Sequence, residues 1–181
     1  MRLMIASDLH GSLTLTEKLF ECYEKEKAEK LVLLGDLLYH GARNDLPEGY
    51  STKGLTALLN AHKADLLCVR GNCDSAVDQM VLEFPIMADY NMMFVDGRTW
   101  IVTHGDLIHE EAMIPHTPGT VLLHGHTHLK IAEKIGDFYY LNPGSVSIPK
   151  DGDQGSYMIY EDGCFTIKLL DGSVVKELVL D

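Results

Sequence analysis

Three histidines stand within the stretch VLLHGHTHLK: His124, His126 and His128. Neutral imidazoles each need a hydrogen-bond partner and protonated ones repel, so a cluster this dense needs something to hold it. A metal ion does so, because imidazole binds metals as the neutral ring. Residues of the same chemistry recur along the chain. Asp8 and His10 follow the apolar run RLMIAS, Asp36 follows LVLLG, Asn72 follows LLCVRG, and His104 follows WIVT. Each group lies close to a glycine, which permits tight turns and close backbone approach. Asp8, His10, Asp36, Asn72, His104, His126 and His128 together offer oxygen and nitrogen donors without needing a thiolate. Seven donors are too many for one ion and suit two ions that share a bridging carboxylate.

Taken singly, most of these patterns are weak. Asp-x-His and Gly-Asp are common in loops, and Asn and Asp are ordinary turn formers. Gly-His-Thr-His at a strand end is the most specific. All five in order, each after an apolar run, leave little room for coincidence.

The elements that must position these residues alternate in the first half of the chain. RLMIAS reads as a buried strand, and Ser12 caps a helix to about Lys27 with Leu15, Leu19, Phe20 and Tyr23 on one face. LVLLG is the next strand, followed by the long loop DLLYHGARNDLPEGY. STKGLTALLNAH, capped by Ser51 or Thr52, is a second helix, and DLLCVRG is a third strand. A β-α-β-α-β beginning predicts parallel strands. Ligands in such sheets bind at the carboxyl ends of the strands. The second half predicts hairpins about DG and GD turns, in YNMMFVDGRTWIVTH and LKIAEKIGDFYYLN, with TVLLHG as a short strand between them. GSYMIYE, CFTIKLL and SVVKELVL close the chain as a meander. The expected class is α/β, with two packed sheets flanked by helices.

With 181 residues, 46% apolar and 23% charged, the chain is expected to form one globular domain over residues 1–181. No run approaches the roughly 18 apolar residues of a membrane span, and charge comes too early for a signal peptide, so the cytoplasm is the expected location. Cys22, Cys68, Cys73 and Cys164 form no C-x-x-C pair, which argues against a zinc ribbon or a disulfide framework. A net charge of −12 repels long nucleic acid. Small anionic substrates fit if divalent cations reverse the field locally. A homo-oligomer suits so compact an enzyme, although no residue pattern specifies one.

The ordered set SDLHG, LGD, GNCD, THG and GHTH, with HGARNDLPEGY and NPGSVSIPK, resembles the calcineurin-like metallophosphoesterases, in particular their small single-domain bacterial phosphodiesterase branch. The resemblance implies a four-layer α-β-β-α sandwich of two mixed sheets flanked by helices, with a binuclear centre at one rim. One ion would be held by Asp8, His10 and His128, the other by Asn72, His104 and His126, with Asp36 bridging. Manganese would be the usual activator, with iron, zinc or nickel as other occupants. Two such cations lower the pKa of a bridging water, and the hydroxide would attack phosphorus in line with the leaving oxygen of a small phosphodiester. Arg43, in the long loop, is a candidate phosphate clamp or a solvated arginine. Cys73 stands where larger members carry a histidine that is thought to protonate the leaving group. A thiol is an unusual general acid, which puts efficient monoester cleavage in doubt. Phosphomonoesters and nucleotide pyrophosphates are alternative substrates. A protein-binding scaffold is the non-enzymatic alternative, disfavoured by the full ligand set.

The remaining candidates read as structural. His124 is expected to end its strand with a hydrogen bond behind the ligands, and His40 to pack its loop. His62 sits at a helix end, and His109 and His116 are expected to be solvated. Asp74 either orients the metal site or caps the next turn. Cys22, Cys68 and Cys164 read as buried thiols.

Overall fold

A computed structural model describes residues 1–152 and 154–181. Strands β1 (Arg2–Ala6), β2 (Lys30–Leu33) and β3 (Leu66–Cys68) lie parallel, as the alternation predicts. Helices α1 (Leu13–Glu26) and α2 (Thr52–Ala61) make the crossovers. Ser12 and Ser51 cap them by accepting the N–H groups of Leu15 and Gly54, each at 3.3 Å. Lys27 ends α1 in the left-handed region, at φ 53°. A short third helix, α3 (Ala76–Val81), has no counterpart among the expected elements. Its start is a capping box in which Ser75 and Asp78 satisfy each other's backbone N–H.

The expected hairpins form. Strands β4 (Tyr90–Val95) and β5 (Arg98–Thr103) pair antiparallel across Asp96-Gly97, both at positive φ. Strands β7 (Lys130–Ile135) and β8 (Phe138–Pro143) do likewise, and β6 (Val121–Leu123) runs parallel to β5 and β8. The order of this sheet is β4-β5-β6-β8-β7. The terminal meander of β9 (Ser156–Glu161), β10 (Cys164–Leu169) and β11 (Val174–Val179) returns to the first half of the chain. β9 pairs antiparallel with β1, giving a mixed sheet ordered β11-β10-β9-β1-β2-β3.

Alternation along β1 and β2 sorts side chains to two faces. Met4, Ala6, Leu31 and Leu33 pack against Leu19, Phe20, Leu55 and Leu59 of the helices. Leu3, Ile5, Val32 and Leu34 face the second sheet and meet Trp100, Val102, Val121, Leu123 and Leu141. The two packed mixed sheets are therefore as expected, with the helices on the outer face of the first. The outermost layer over the second sheet is made by a loop. Ile108, Met113 and Ile114 cover Ile101, Leu122 and Tyr140, and no helix lies between β5 and β6 among the described residues. Five parallel strands, β1, β2, β3, β5 and β6, point their carboxyl ends at one rim, and the seven candidate ligands follow those ends.

Candidate metal centre

Hydrogen bonds at the back of the His10, His104 and His128 rings fix which nitrogen faces the rim. A carbonyl only accepts, so His10 Nδ1–H donates to Tyr39 O at 2.9 Å, and His128 Nδ1–H donates to Ile148 O at 2.6 Å. Both Nε2 lone pairs then face the same point, 3.3 Å apart. Asp8 Oδ1 lies 3.2 Å from His128 Nε2 and 3.6 Å from His10 Nε2. That oxygen is buried with no hydrogen-bond partner among the described residues. Three lone pairs converge where none can satisfy another, and a cation satisfies all three.

The second group is built in the same way. His104 Nδ1–H donates to Leu34 O at 2.7 Å, which turns Nε2 toward Asn72 Oδ1 at 3.0 Å. His126 Nδ1 lies 2.7 Å from the same oxygen. Asp36 stands between the groups: its Oδ2 is 3.7 Å from His10 Nε2 and 3.5 Å from His104 Nε2. The structure thus brings all seven sequence-derived candidates together. The donor set, imidazole with carboxylate and one amide oxygen, fits divalent transition ions.

Electrostatics point the same way. Burial opposes the charge of Asp8, yet the adjoining imidazoles of His10 and His128 and the charge on His104 hold its carboxyl well below the usual range. Burial likewise opposes protonation of His104, but the hydrogen bond to Asp36 and the charges of Asp8 and Asp36 raise it to about 9. A proton is held at His104 where a metal would put positive charge.

The backbone that delivers these side chains is unusual. Asp8, His10, Asp36, His126 and His128 all adopt positive φ, between 45° and 63°. Such conformations persist where the surroundings over-determine them. Here Asp8 O accepts the hydroxyls of Ser145 at 2.9 Å and Ser147 at 3.0 Å, and Asp8 Oδ2 accepts the His126 N–H at 3.1 Å. The His10 N–H donates to Asp36 O at 2.9 Å. Gly71 is required for contact: a Cβ there would lie 2.1 Å from Asp36 Oδ1.

Of the two roles left open by the sequence, Asp74 takes the first and orients the site, whereas the next turn is capped by Ser75 and Asp78. The Asp74 carboxylate joins the ends of β2 and β3 by accepting three backbone N–H groups, and burial raises it to about 6. Cys73 and Arg43 line the cavity of about 530 Å³ over the ligands, together with Tyr39, Asn44 and Lys150. Burial, reinforced by the charge of Asp36, pushes the Cys73 thiol up to about 12. Asn44 Nδ2 donates to His40 O at 2.8 Å, which folds the loop around Arg43.

His124 lies behind the centre. It is buried, stacks on Tyr140 at 4.2 Å, and donates from Nδ1 to Gly125 O at 3.1 Å; burial lowers it to about 4. His40 packs between Tyr39 and Tyr50, and His62 stacks on Phe20. Two expectations are corrected. His116 is not a freely solvated ring: it packs edge-on against Phe138, and Nδ1 bonds Ile114 O. Cys164 is half-buried rather than buried.

Sequence reasoning missed the carbonyls of Tyr39, Leu34 and Ile148, which no residue type could signal. It also missed Lys150, for which its place in NPGSVSIPK was the available sign.

Residues 1–162 match the family model for the calcineurin-like phosphoesterase superfamily domain. The chain is 44% identical to Phosphodiesterase YfcE of Escherichia coli K12 over 182 residues, covering 100% of this chain and 99% of that relative. It is 25% identical over 189 residues to the Probable metallophosphoesterase YsnB of Bacillus subtilis, covering 98% of this chain and 96% of that protein. The solved structure of Yfce, a phosphoesterase from E. coli, matches with a TM-score of 0.97 at 42% identity over the whole of both chains. Zn-complexed Vps29 of Entamoeba histolytica, 17% identical with a TM-score of 0.63 over the whole of both chains, shares the fold. On its sequence and its architecture, the chain belongs to the calcineurin-like phosphoesterase superfamily.

Proposed function

We propose that this chain is a cytoplasmic, single-domain phosphodiesterase that cleaves a small phosphodiester at a binuclear centre. The observation that carries the reading is the orphaned Asp8 Oδ1 between the Nε2 atoms of His10 and His128, with Asp36 Oδ2 between that group and His104. Asp8, His10 and His128 would hold one ion, Asn72, His104 and His126 the other, and Asp36 would bridge. Manganese is the first candidate, with iron, zinc and nickel behind it. Divalent ions held there supply an activated water and neutralise charge developing on phosphoryl oxygens. The chain does the rest. The Tyr39, Leu34 and Ile148 carbonyls keep the rings in the binding tautomer. Arg43, at the mouth, matches two phosphoryl oxygens with its planar fork.

The Cys73 thiol favours the diester over the monoester reading. At about 12 it is a weak proton donor, so the site suits a leaving group that departs with little help. The test is hydrolysis of bis(p-nitrophenyl) phosphate by metal-stripped protein, with and without added Mn²⁺, beside the monoester p-nitrophenyl phosphate. Metal-dependent cleavage that favours the diester is expected. Preference for the monoester would move the reading to a phosphomonoesterase. Two bound ions with no turnover of either ester would favour a scaffold.

A further inference from the structure

Lys150 is the cavity cation that the proposed chemistry leaves without a role. It lines the space over the centre with His10, His128, Asn72 and Arg43. It is exposed, and its backbone N–H donates to His128 O at 3.3 Å. Two residues earlier, Ile148 O accepts from His128 Nδ1. The segment that orients a ligand ring therefore also sets Lys150 at the mouth, while Arg43 enters from the separate loop after β2.

Charge decides what Lys150 is for. The ligand set contributes two carboxylates, Asp8 and Asp36, so two divalent ions leave a surplus of two positive charges. An attacking hydroxide and a monoanionic diester consume that surplus. With Arg43 assigned to the phosphoryl oxygens, Lys150 then adds a positive charge that the diester itself does not need. Among the described residues neither takes part in an ion pair, whereas Arg2, Lys30, Arg70, Lys134 and Lys168 do. Arg43 and Lys150 both line the one cavity on a chain whose net charge is −12.

We propose that Lys150 is a specificity-determining residue that receives a second anionic group, carried on one arm of the phosphodiester. The substrate class is then a small diester with at least one carboxylate or phosphate besides the scissile phosphoryl. A lysine ammonium is a compact point charge on a flexible stem, which suits a terminal anion at variable reach, whereas the Arg43 fork suits the fixed phosphoryl oxygens. The proposal rests on the phosphodiesterase reading.

The test uses three p-nitrophenyl diesters that differ in one arm: propyl, 2-carboxyethyl and 2-phosphoethyl. The Mn²⁺-loaded protein is expected to favour the anionic arms in kcat/KM by about 10-fold or more. The better of the two identifies the anion. That preference should fall to about 2-fold or less in Lys150→Gln and return in Lys150→Arg. It should also shrink as salt is raised. Equal use of all three arms, or a preference that survives Lys150→Gln, overturns the proposal. If none of the esters turns over, the phosphodiesterase reading falls by itself. Calorimetric Kd values for uncleavable methylphosphonates bearing the same arms then decide Lys150: an anionic preference lost in Lys150→Gln supports it, and equal affinities overturn it.

Discussion

Asp74 accepts the backbone N–H of Asp36 at 2.8 Å, so one buried carboxylate places another. The same side chain accepts the N–H groups of Leu37 and Gly71, each at 2.8 Å. An amide in its place turns an N–H toward at least one of those donors. Asp74→Asn should therefore lower metal affinity and diester turnover by about 10–100-fold, the range typical when ligand supports are lost. Metal titration of the purified variant checks this. Affinity within about 2-fold of wild type would show that Asp36 is placed by the β2–β3 packing alone.

Asp36 is the residue that both ligand groups approach. Asp36→Asn keeps the shape and removes the charge that His10 and His104 face at 3.7 Å and 3.5 Å. Turnover of bis(p-nitrophenyl) phosphate should fall at least ~100-fold, with fewer than two ions retained per chain by elemental analysis. Near-normal turnover would remove the shared-carboxylate arrangement.

Asn72 and its neighbour Cys73 should separate cleanly. Asn72 Oδ1 meets two imidazoles, whereas the Cys73 thiol is pushed up to about 12 and stays protonated across the neutral range. Cys73→Ser should cost less than about 10-fold in kcat/KM, and Asn72→Ala about 100-fold or more. A larger loss from the cysteine change would assign proton donation to the thiol.

His104 gives the metal-stripped protein a pH signature. Its folded pKa, about 9, lies above the ordinary 6.5 because Asp36 and Asp8 outweigh burial. Protonated His104 thus stabilises the fold in full below pH 6.5, and that contribution fades as pH rises through about 9. The Tm of metal-stripped protein should fall over that window. Added Mn²⁺ should flatten the fall, because a cation takes over the proton's role. An identical slope in His104→Gln would assign the effect elsewhere.

Gly71→Ala tests how closely β2 and β3 must approach. The new Cβ would lie 2.1 Å from Asp36 Oδ1 and 2.3 Å from Asp36 N. The variant should lose about 1–3 kcal/mol of stability by denaturant unfolding and bind metal weakly. Retained stability and affinity would mean that the loop yields without moving Asp36.

The strands and the ligand positions were legible because both are written in residue type. Apolar runs mark β1, β2, β3, β5 and β6, and a carboxylate, amide or imidazole marks each end. The supporting atoms were not legible. Tyr39 O, Leu34 O and Ile148 O are backbone groups whose partners depend on where loops pass. The helix at Ala76–Val81 had a readable start, Ser75 with Asp78, but at six residues it is too short for helical periodicity to show. The loop over the second sheet was hidden for another reason. Ile108, Met113 and Ile114 are spaced for no regular element, and only the apolar outer face of β5, β6 and β8 gives them a purpose. His116 was misjudged with them, since Phe138 reaches it from the second hairpin.

The positive-φ backbone at Asp8, His10, Asp36, His126 and His128 bears on how ions come and go. Hydroxyls from Ser145 and Ser147 and the carboxylate of Asp74 hold those turns through the chain's own bonds. The conformational entropy of gathering the ligands is therefore spent when the protein folds, and an arriving ion need not organise them. Metal exchange should proceed within the folded protein, with chelation leaving the far-ultraviolet dichroism unchanged. On the proposed reading the centre would behave as a socket, and the metal in it would be set by supply as much as by sequence.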